Sequence, residues 1–187
     1  MDQRASEIRN TYIRTLAEQV MAAFEWRRIN SWFAPGRAAA LTRVMDLVPG
    51  GAVVCQGGSV TVEQCGIREA LKRRNDIEFL DPYDPELPRE AQLENRRRGL
   101  LADVFITGSN AITRDGVLVN RDGMGNRVAA LSFGPKRVII VAGINKIVPD
   151  VNTAVARIDQ VAAPMNCERL GRDTPCRSSL HCSDCST

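Results

Sequence analysis

Short apolar runs that alternate with longer helix-like stretches constrain the fold of this chain more than any other feature. Arg137 to Ala142 is the clearest run, because Val138-Ile139-Ile140-Val141 is β-branched throughout. Ala52 to Cys55, Ile77 to Leu80, Asp103 to Thr107 and the shorter Val117 to Val119, after the Asp115-Gly116 turn, read as further strands. Between them the sequence predicts helices over residues 37–48, from about Val60 to Arg74, over 86–100 and over 150–163, the last stopped by Pro164. Pro49-Gly50-Gly51 ends the first of these, and Asp81-Pro82-Tyr83-Asp84-Pro85 is a loop. Such alternation predicts an α/β fold with a mostly parallel sheet flanked by helices. In such sheets ligands sit beyond the carboxyl ends of the strands, so the loops there are the first place to look for function.

Ahead of this pattern, Ile8, Tyr12, Leu16, Val20 and Phe24 recur every four residues and define one stripe of an N-terminal helix. Its tail, Trp26 to Phe33, carries both tryptophans, and packing of this extension on the main domain is the expected role of the stripe. The expected organisation is therefore a helical extension over 1–34, an α/β domain over 35–166 and a cysteine-containing tail over 167–187. No internal repeat or low-complexity segment is present.

The composition is that of a globular chain, with 44% apolar and 25% charged residues among 187. A net charge of +3 is too small to indicate nucleic acid, and the runs Lys72-Arg73-Arg74 and Arg96-Arg97-Arg98 fall in expected helices as solvated faces. No stretch approaches the roughly 18 apolar residues of a membrane span, and no apolar leader opens the chain. A cytoplasmic, reducing location is expected, where six cysteines indicate thiol, metal or redox chemistry rather than a disulfide framework.

Three strand-end loops carry candidate binding groups. In Gly57-Gly58-Ser59-Val60-Thr61-Val62-Glu63 the glycines allow close approach of a ligand. Ser59 is a good N-cap, and the N–H groups beyond it suit a phosphate or carboxylate. The same residues also make an ordinary capped turn, with Glu63 as its partner. Thr107-Gly108-Ser109-Asn110-Ala111-Ile112-Thr113 is rich in small polar side chains. Asn120-Arg121-Asp122-Gly123-Met124-Gly125-Asn126-Arg127 combines two glycines with Asn120, Asn126, Asp122 and Arg127. Arg127 can clamp an anion bidentately and Asp122 can act as a base, although an Asx-turn with a salt bridge uses the same residues. Lys146, beyond the strongest strand, is a further cation for an anionic substrate. The anion-binding candidates are thus Gly57, Gly58, Ser59, Thr61, Asn110, Asn120, Gly123, Gly125, Asn126, Arg127 and Lys146, with Glu63 and Asp122 as candidate catalytic carboxylates.

The tail carries its own chemistry. Cys182 and Cys185 form a C-x-x-C pair and Cys176 precedes it by six positions, a spacing that can gather thiolates on zinc or an iron–sulfur centre. Cys55 and Cys65, in an apolar strand and an early helical turn, read as buried small hydrophobes. The one histidine, His181, lies in the tail, which excludes a serine–histidine–aspartate triad or a metalloprotease helix within the domain. Neither a Walker A sequence nor a strand-borne G-x-G-x-x-G is present.

Taken in order, several segments resemble the LUD (lactate utilization) domain family. They are Gly57 to Glu63; Leu101 to Thr113; Asp115 to Asn120; Asp122 to Ala130; Phe133-Gly134-Pro135; Gly143-Ile144-Asn145-Lys146-Ile147-Val148; and Ala162-Ala163-Pro164-Met165-Asn166. Thr174-Pro175-Cys176 with the C-x-x-C pair is similar to the tail of single-domain members. The resemblance implies a fold like that of the sugar-phosphate isomerase and coenzyme A transferase superfamily. It also implies a part in oxidising L-lactate to pyruvate beside iron–sulfur protein subunits. It implies one more cysteine a few residues past Cys185, which this chain does not carry, and Cys167 offers a substitute fourth ligand. The expected partners are a small anionic substrate and iron–sulfur proteins, with a homodimer as one assembly. Two other functions fit the same residues. One is a stand-alone enzyme on sugar phosphates or acyl-CoA. The other is an interaction module stabilised by metal at the tail.

Overall fold

The protein, described here from a computed structural model over residues 3–183 and 185, is α/β. Its chain divides into two compact units built from interleaved segments: Ala34–Gly108 with Asp122–Ala142, and Met1–Phe33 with Ser109–Arg121 and Gly143–Thr187.

The first unit is the parallel sheet and its helices. Strands β1 (Val53–Gln56), β2 (Glu78–Leu80), β3 (Val104–Thr107) and β6 (Arg137–Ile140) lie in the order β2-β1-β3-β6, all parallel. Val54 pairs with Val104, Gln56 with Ile106, and Thr107 with Ile140. Every residue of β3 is buried, as a strand covered on both faces requires. Alternation sorts the side chains. Val54, Val104, Ile106 and Ile139 join a core with Val44 of α2 (Arg37–Leu47), Val62 of α3 (Val60–Gln64), and Ile67 and Leu71 of α4 (Ile67–Lys72). Cys55, Leu80 and Phe105 form a second core with Ala102 and with Ala130 of α6 (Asn126–Ser132). α5 (Arg89–Arg98) precedes β3 and runs into a 3₁₀ turn, Gly99–Leu101.

The expected helix from Val60 to Arg74 is two helices. Gly66 takes a left-handed φ of 70° between them, a conformation that costs glycine nothing and breaks the ladder. All five expected strands lie within a residue or two of their predicted bounds.

The second unit holds α1 (Gln3–Trp26) and a small sheet of β4 (Ala111–Thr113), β5 (Leu118–Val119) and β7 (Ile147–Val148). Its order is β5-β4-β7, with β4 antiparallel to β5 and parallel to β7. β4 and β7, too short to show alternation, lie where the sequence suggests only loop. Leu16, Ala17 and Val20 are the buried part of the α1 stripe, whereas Ile8, Tyr12, Trp26 and Trp32 are exposed. Packing of the whole stripe, expected from its period, is therefore limited to Leu16 and Val20, with Phe24 half-buried. The end of α1 is fastened to the β4–β5 turn. Gly116, at φ 80°, lies so close that a Cβ there would meet the Ala23 carbonyl carbon at 3.2 Å, and Arg27 Nε donates to the Asp115 carbonyl at 2.9 Å.

Pro164 does not end the last long helix, contrary to its usual effect. α7 (Val151–Arg157) passes through a π-helical turn, Ile158–Ala162, into α8 (Ala163–Arg169). The wider turn lets Ala163 N–H reach Ile158 O, five residues back, which makes room for the proline ring. A further short helix, α9 (Cys176–Ser179), lies in the cysteine-containing tail, where the sequence suggests no helix.

Candidate functional site

In the sheet unit the carboxyl ends of β1 and β3 carry the first group of candidate residues. Gly57 N–H donates to Ile106 O at 2.9 Å and so continues the ladder one step past β1. A Cβ on Gly57 would stand 2.6 Å from Thr107 Oγ1 and 3.3 Å from the Phe105 ring. Its backbone is not left-handed, so close packing against β3 is the reason for glycine here. Ser59 is buried and extended, and its Oγ accepts from Val62 N–H at 3.3 Å, the N-cap bond that the sequence suggests. Thr61 is half-buried in the first turn of α3 and Glu63 is exposed.

Gln56, which sequence reasoning missed, ends β1 beneath this turn. It is 3% exposed, and its side-chain carbonyl Oε1 has no hydrogen-bond partner among the described residues. It shares the face of Val54, so an amide stands where the apolar core gives way to the strand-end loops. A buried acceptor without a donor costs about 1–3 kcal/mol, a penalty that a ligand or water can relieve. The amide merely extends the polar stretch that follows the strand, so no signal in the chain distinguishes it.

The Asp122–Arg127 loop belongs to the same unit. Arg127 Nε and Nη2 both reach Asp122 Oδ1, at 2.9 and 2.6 Å, and Arg127 Nη1 donates to Gly108 O at 3.2 Å. Asp122 Oδ2 accepts from Val128 N–H at 2.7 Å. Both side chains are about 10% exposed. The pair closes the loop over the start of α6 and ties it to the end of β3. Gly125 supplies the left-handed residue at φ 77° that the turn into α6 needs, Gly123 has open space where a Cβ would go, and Asn126 opens the helix.

The remaining loop candidates lie in the other unit. Asn120 Oδ1 accepts from Ser109 Oγ at 3.2 Å and Asn110 N–H at 3.0 Å, while Asn110 Oδ1 accepts from Arg121 N–H at 2.9 Å. The two asparagines thus clasp the segments leading into β4 and out of β5. Lys146 is half-buried at the end of a 3₁₀ turn, Ile144–Lys146. Arg157, a cation the sequence does not single out, donates from Nη1 to Asn110 O at 2.6 Å. Burial lowers its pKa from the ordinary arginine value.

The tail cysteines separate. Cys176 is buried at the start of α9 with its Sγ 3.2 Å from Thr174 Oγ1. Cys167 lies on α8, with Thr174, Cys176 and Cys185 near enough to act on its thiol. Thr174 pulls its thiol pKa down, but burial and the neighbouring Cys176 and Cys185 thiols outweigh it and leave the value raised. Cys182 is held elsewhere: its N–H donates to Asp159 O at 2.8 Å, and its Sγ stands 3.6 Å from Nη1 of Arg121, which pairs with Asp159. Among the described residues no group of three or more His, Cys, Asp or Glu side chains is arranged to hold a metal ion. Cys55 and Cys65 are buried among apolar side chains, as expected, and burial pushes the Cys55 thiol up to about 12.

The carboxyl edge of this parallel sheet thus carries a glycine turn, an unpartnered amide oxygen and a buried arginine–aspartate pair. The family is specific: the model of the LUD domain matches residues 17–186, nearly the whole chain, and the protein belongs to that family. No curated protein matches it. No helix among the described residues is long and apolar enough to cross a membrane.

Proposed function

We propose that this LUD-domain protein serves lactate utilization by binding a small 2-hydroxy carboxylate at the carboxyl edge of its four-stranded sheet. The observation that carries the reading is the Gln56 carbonyl, buried at that edge with no donor among the described residues. L-lactate offers the missing donor in its hydroxyl, and its carboxylate suits an edge whose buried cation is Arg127. Oxidation to pyruvate releases two electrons and two protons, and in this reading the electrons pass to iron–sulfur partner proteins. Glu63 takes the role of base, because Asp122 already accepts hydrogen bonds from Arg127 and Val128.

A metal centre at Cys167, Cys176, Cys182 and Cys185 is the second reading, favoured by the approach of Cys167 to Cys176 and Cys185. Cys182, turned toward Arg121, does not complete a four-thiolate set as arranged, so no step above runs through such a centre. Iron and zinc analysis with a visible spectrum of anaerobically purified protein tests that reading.

Calorimetric titration with L-lactate, pyruvate, a sugar phosphate and coenzyme A tests the first. L-lactate should bind, and Gln56→Leu should weaken it by about tenfold or more, the effect of leaving a hydroxyl unpaired. Binding of the sugar phosphate or coenzyme A alone, or unchanged lactate affinity in Gln56→Leu, refutes it.

A further inference from the structure

The two most exposed large apolar side chains of the sheet unit, Phe133 at 91% and Leu101 at 84%, lie at the amino edge of the sheet, away from the candidate site. Leu101 ends the 3₁₀ turn that leads into β3, and Phe133 ends α6 ahead of β6. The two segments are fastened side by side. Gly134, at φ 144°, lies so close that a Cβ there would stand 2.5 Å from Leu100 O, and Lys136 N–H donates to Ala102 O at 3.1 Å. The approach needs glycine, and it sets the neighbours Phe133 and Leu101 on adjoining segments. A cavity of about 360 Å³ opens next to them, with Gly50, Gly51, Asp103, Lys136 and Arg137 in its wall. Lys136 Nζ pairs with Asp103 Oδ1 at 2.7 Å and is 79% exposed. Arg137 Nη1 donates to Leu47 O at 3.0 Å, and no ion pair holds its guanidinium among the described residues. Arg97 and Arg98, just before the Leu101 turn, add two cations in exposed pairs with Glu94 and Glu78. Such pairs are weak enough for the arginines to turn to another anion.

We propose that this amino edge docks on an anionic phospholipid bilayer. Phe133 and Leu101 enter the boundary of the acyl region, and Arg137 and Lys136 receive a headgroup phosphate at the mouth of the cavity. Apolar tips ringed by lysine and arginine suit an interface in which apolar burial and attraction to anionic lipid add together. Charge selects the anionic lipid, because Arg137 has no carboxylate to answer it and a headgroup can compete with Asp103 for Lys136. Size argues against a second protein. Two side chains expose a few hundred Å², against the roughly 800 Å² that each partner of a stable protein pair buries. A bilayer supplies its own continuous apolar phase, so two inserted side chains are enough for reversible attachment. The protein would lie on the membrane without crossing it, with the carboxyl edge of the sheet at the far end of the strands. The docking surface goes beyond the lactate reading and does not rest on it.

The test is co-sedimentation of the full chain with vesicles of phosphatidylglycerol mixed with phosphatidylcholine, and with vesicles of phosphatidylcholine alone. Binding should appear with the anionic vesicles in low salt, be absent with the neutral ones, and fall steeply as salt is raised. Phe133→Ser combined with Leu101→Ser should weaken binding by about tenfold or more, with the circular dichroism spectrum unchanged. Arg137→Gln should weaken it by about fivefold, the effect of one cation near an anionic surface. Equal binding to both kinds of vesicle, no binding to either, or unchanged binding in the Phe133–Leu101 variant overturns the proposal. So does an oligomer that this variant dissociates when the wild type binds no vesicles, since the patch is then a protein interface. The wild-type comparison of the two lipids decides against the proposal on its own even where a variant fails to fold.

Discussion

Replacing Arg127 by methionine separates a structural from a purely ligand-binding role for the most prominent cation of the sheet unit. The side chain makes two hydrogen bonds to Asp122 and one to the Gly108 carbonyl, with both members of the pair about 10% exposed. Methionine fills most of the volume but leaves the Asp122 carboxylate buried without its cation, a loss that typically costs about 3–5 kcal/mol. Deleting both partners, as Arg127→Met with Asp122→Leu, removes the stranded charge. That leaves the lost bonds from Val128 N–H to Asp122 Oδ2 and from Arg127 Nη1 to Gly108 O, each worth about 1 kcal/mol. The double variant should therefore be more stable than Arg127→Met alone, which is the signature of a coupled pair. Urea unfolding followed by circular dichroism, with the slope checked for constancy, reads both differences. If Arg127→Met unfolds within about 1 kcal/mol of the wild type, the arginine does not hold the loop. The structural reasoning would then fail, whatever happens to lactate binding.

Two further outcomes follow from packing and burial. Gly57→Ala should destabilise the sheet unit by about 1–3 kcal/mol, because its Cβ would stand 2.6 Å from Thr107 Oγ1. Adding Thr107→Ala should recover much of that loss in the same unfolding assay, and no recovery would show that the contact is not the cause. The Cys55 thiol, raised from 9.0 to about 12 by burial, stabilises the folded state below pH 9. As pH rises from 9 toward 12 the unfolded thiol ionises while the folded one does not, so this contribution falls, by at most about 4 kcal/mol. Cys55→Ala should show a shallower alkaline decline in stability, and an equal decline in both proteins would contradict the assignment. Native protein should also alkylate at exposed Cys185 well before Cys55.

Much of the architecture is legible in the chain because it is local. β-branched runs mark β1, β3 and β6, and the Ser59 cap opens α3 where the sequence suggests an N-cap. The buried cysteines 55 and 65 follow from their apolar neighbours. The expected breaks are less secure, since their effect depends on what the backbone can do nearby. Gly66 splits a helix that its neighbours favour, and Pro164 fails to end one because a π-helical turn widens ahead of it.

The sequence by itself determined the class of fold, the parallel strands and the polar loops at their ends, since hydrophobic period and turn chemistry act over a few residues. Tertiary structure decided how residues far apart in the chain are used. It joined α1 to Ser109–Arg121 and Gly143–Thr187 in one compact unit, and gave Arg127 to Asp122 and Gly108. It also left the Gln56 carbonyl without a donor among the described residues, and set Cys176 against Thr174 with Cys182 beside Arg121. A polar side chain carries no record of its partner in its own identity. Which donor meets which acceptor is settled only when the apolar faces pack and fix where each loop ends.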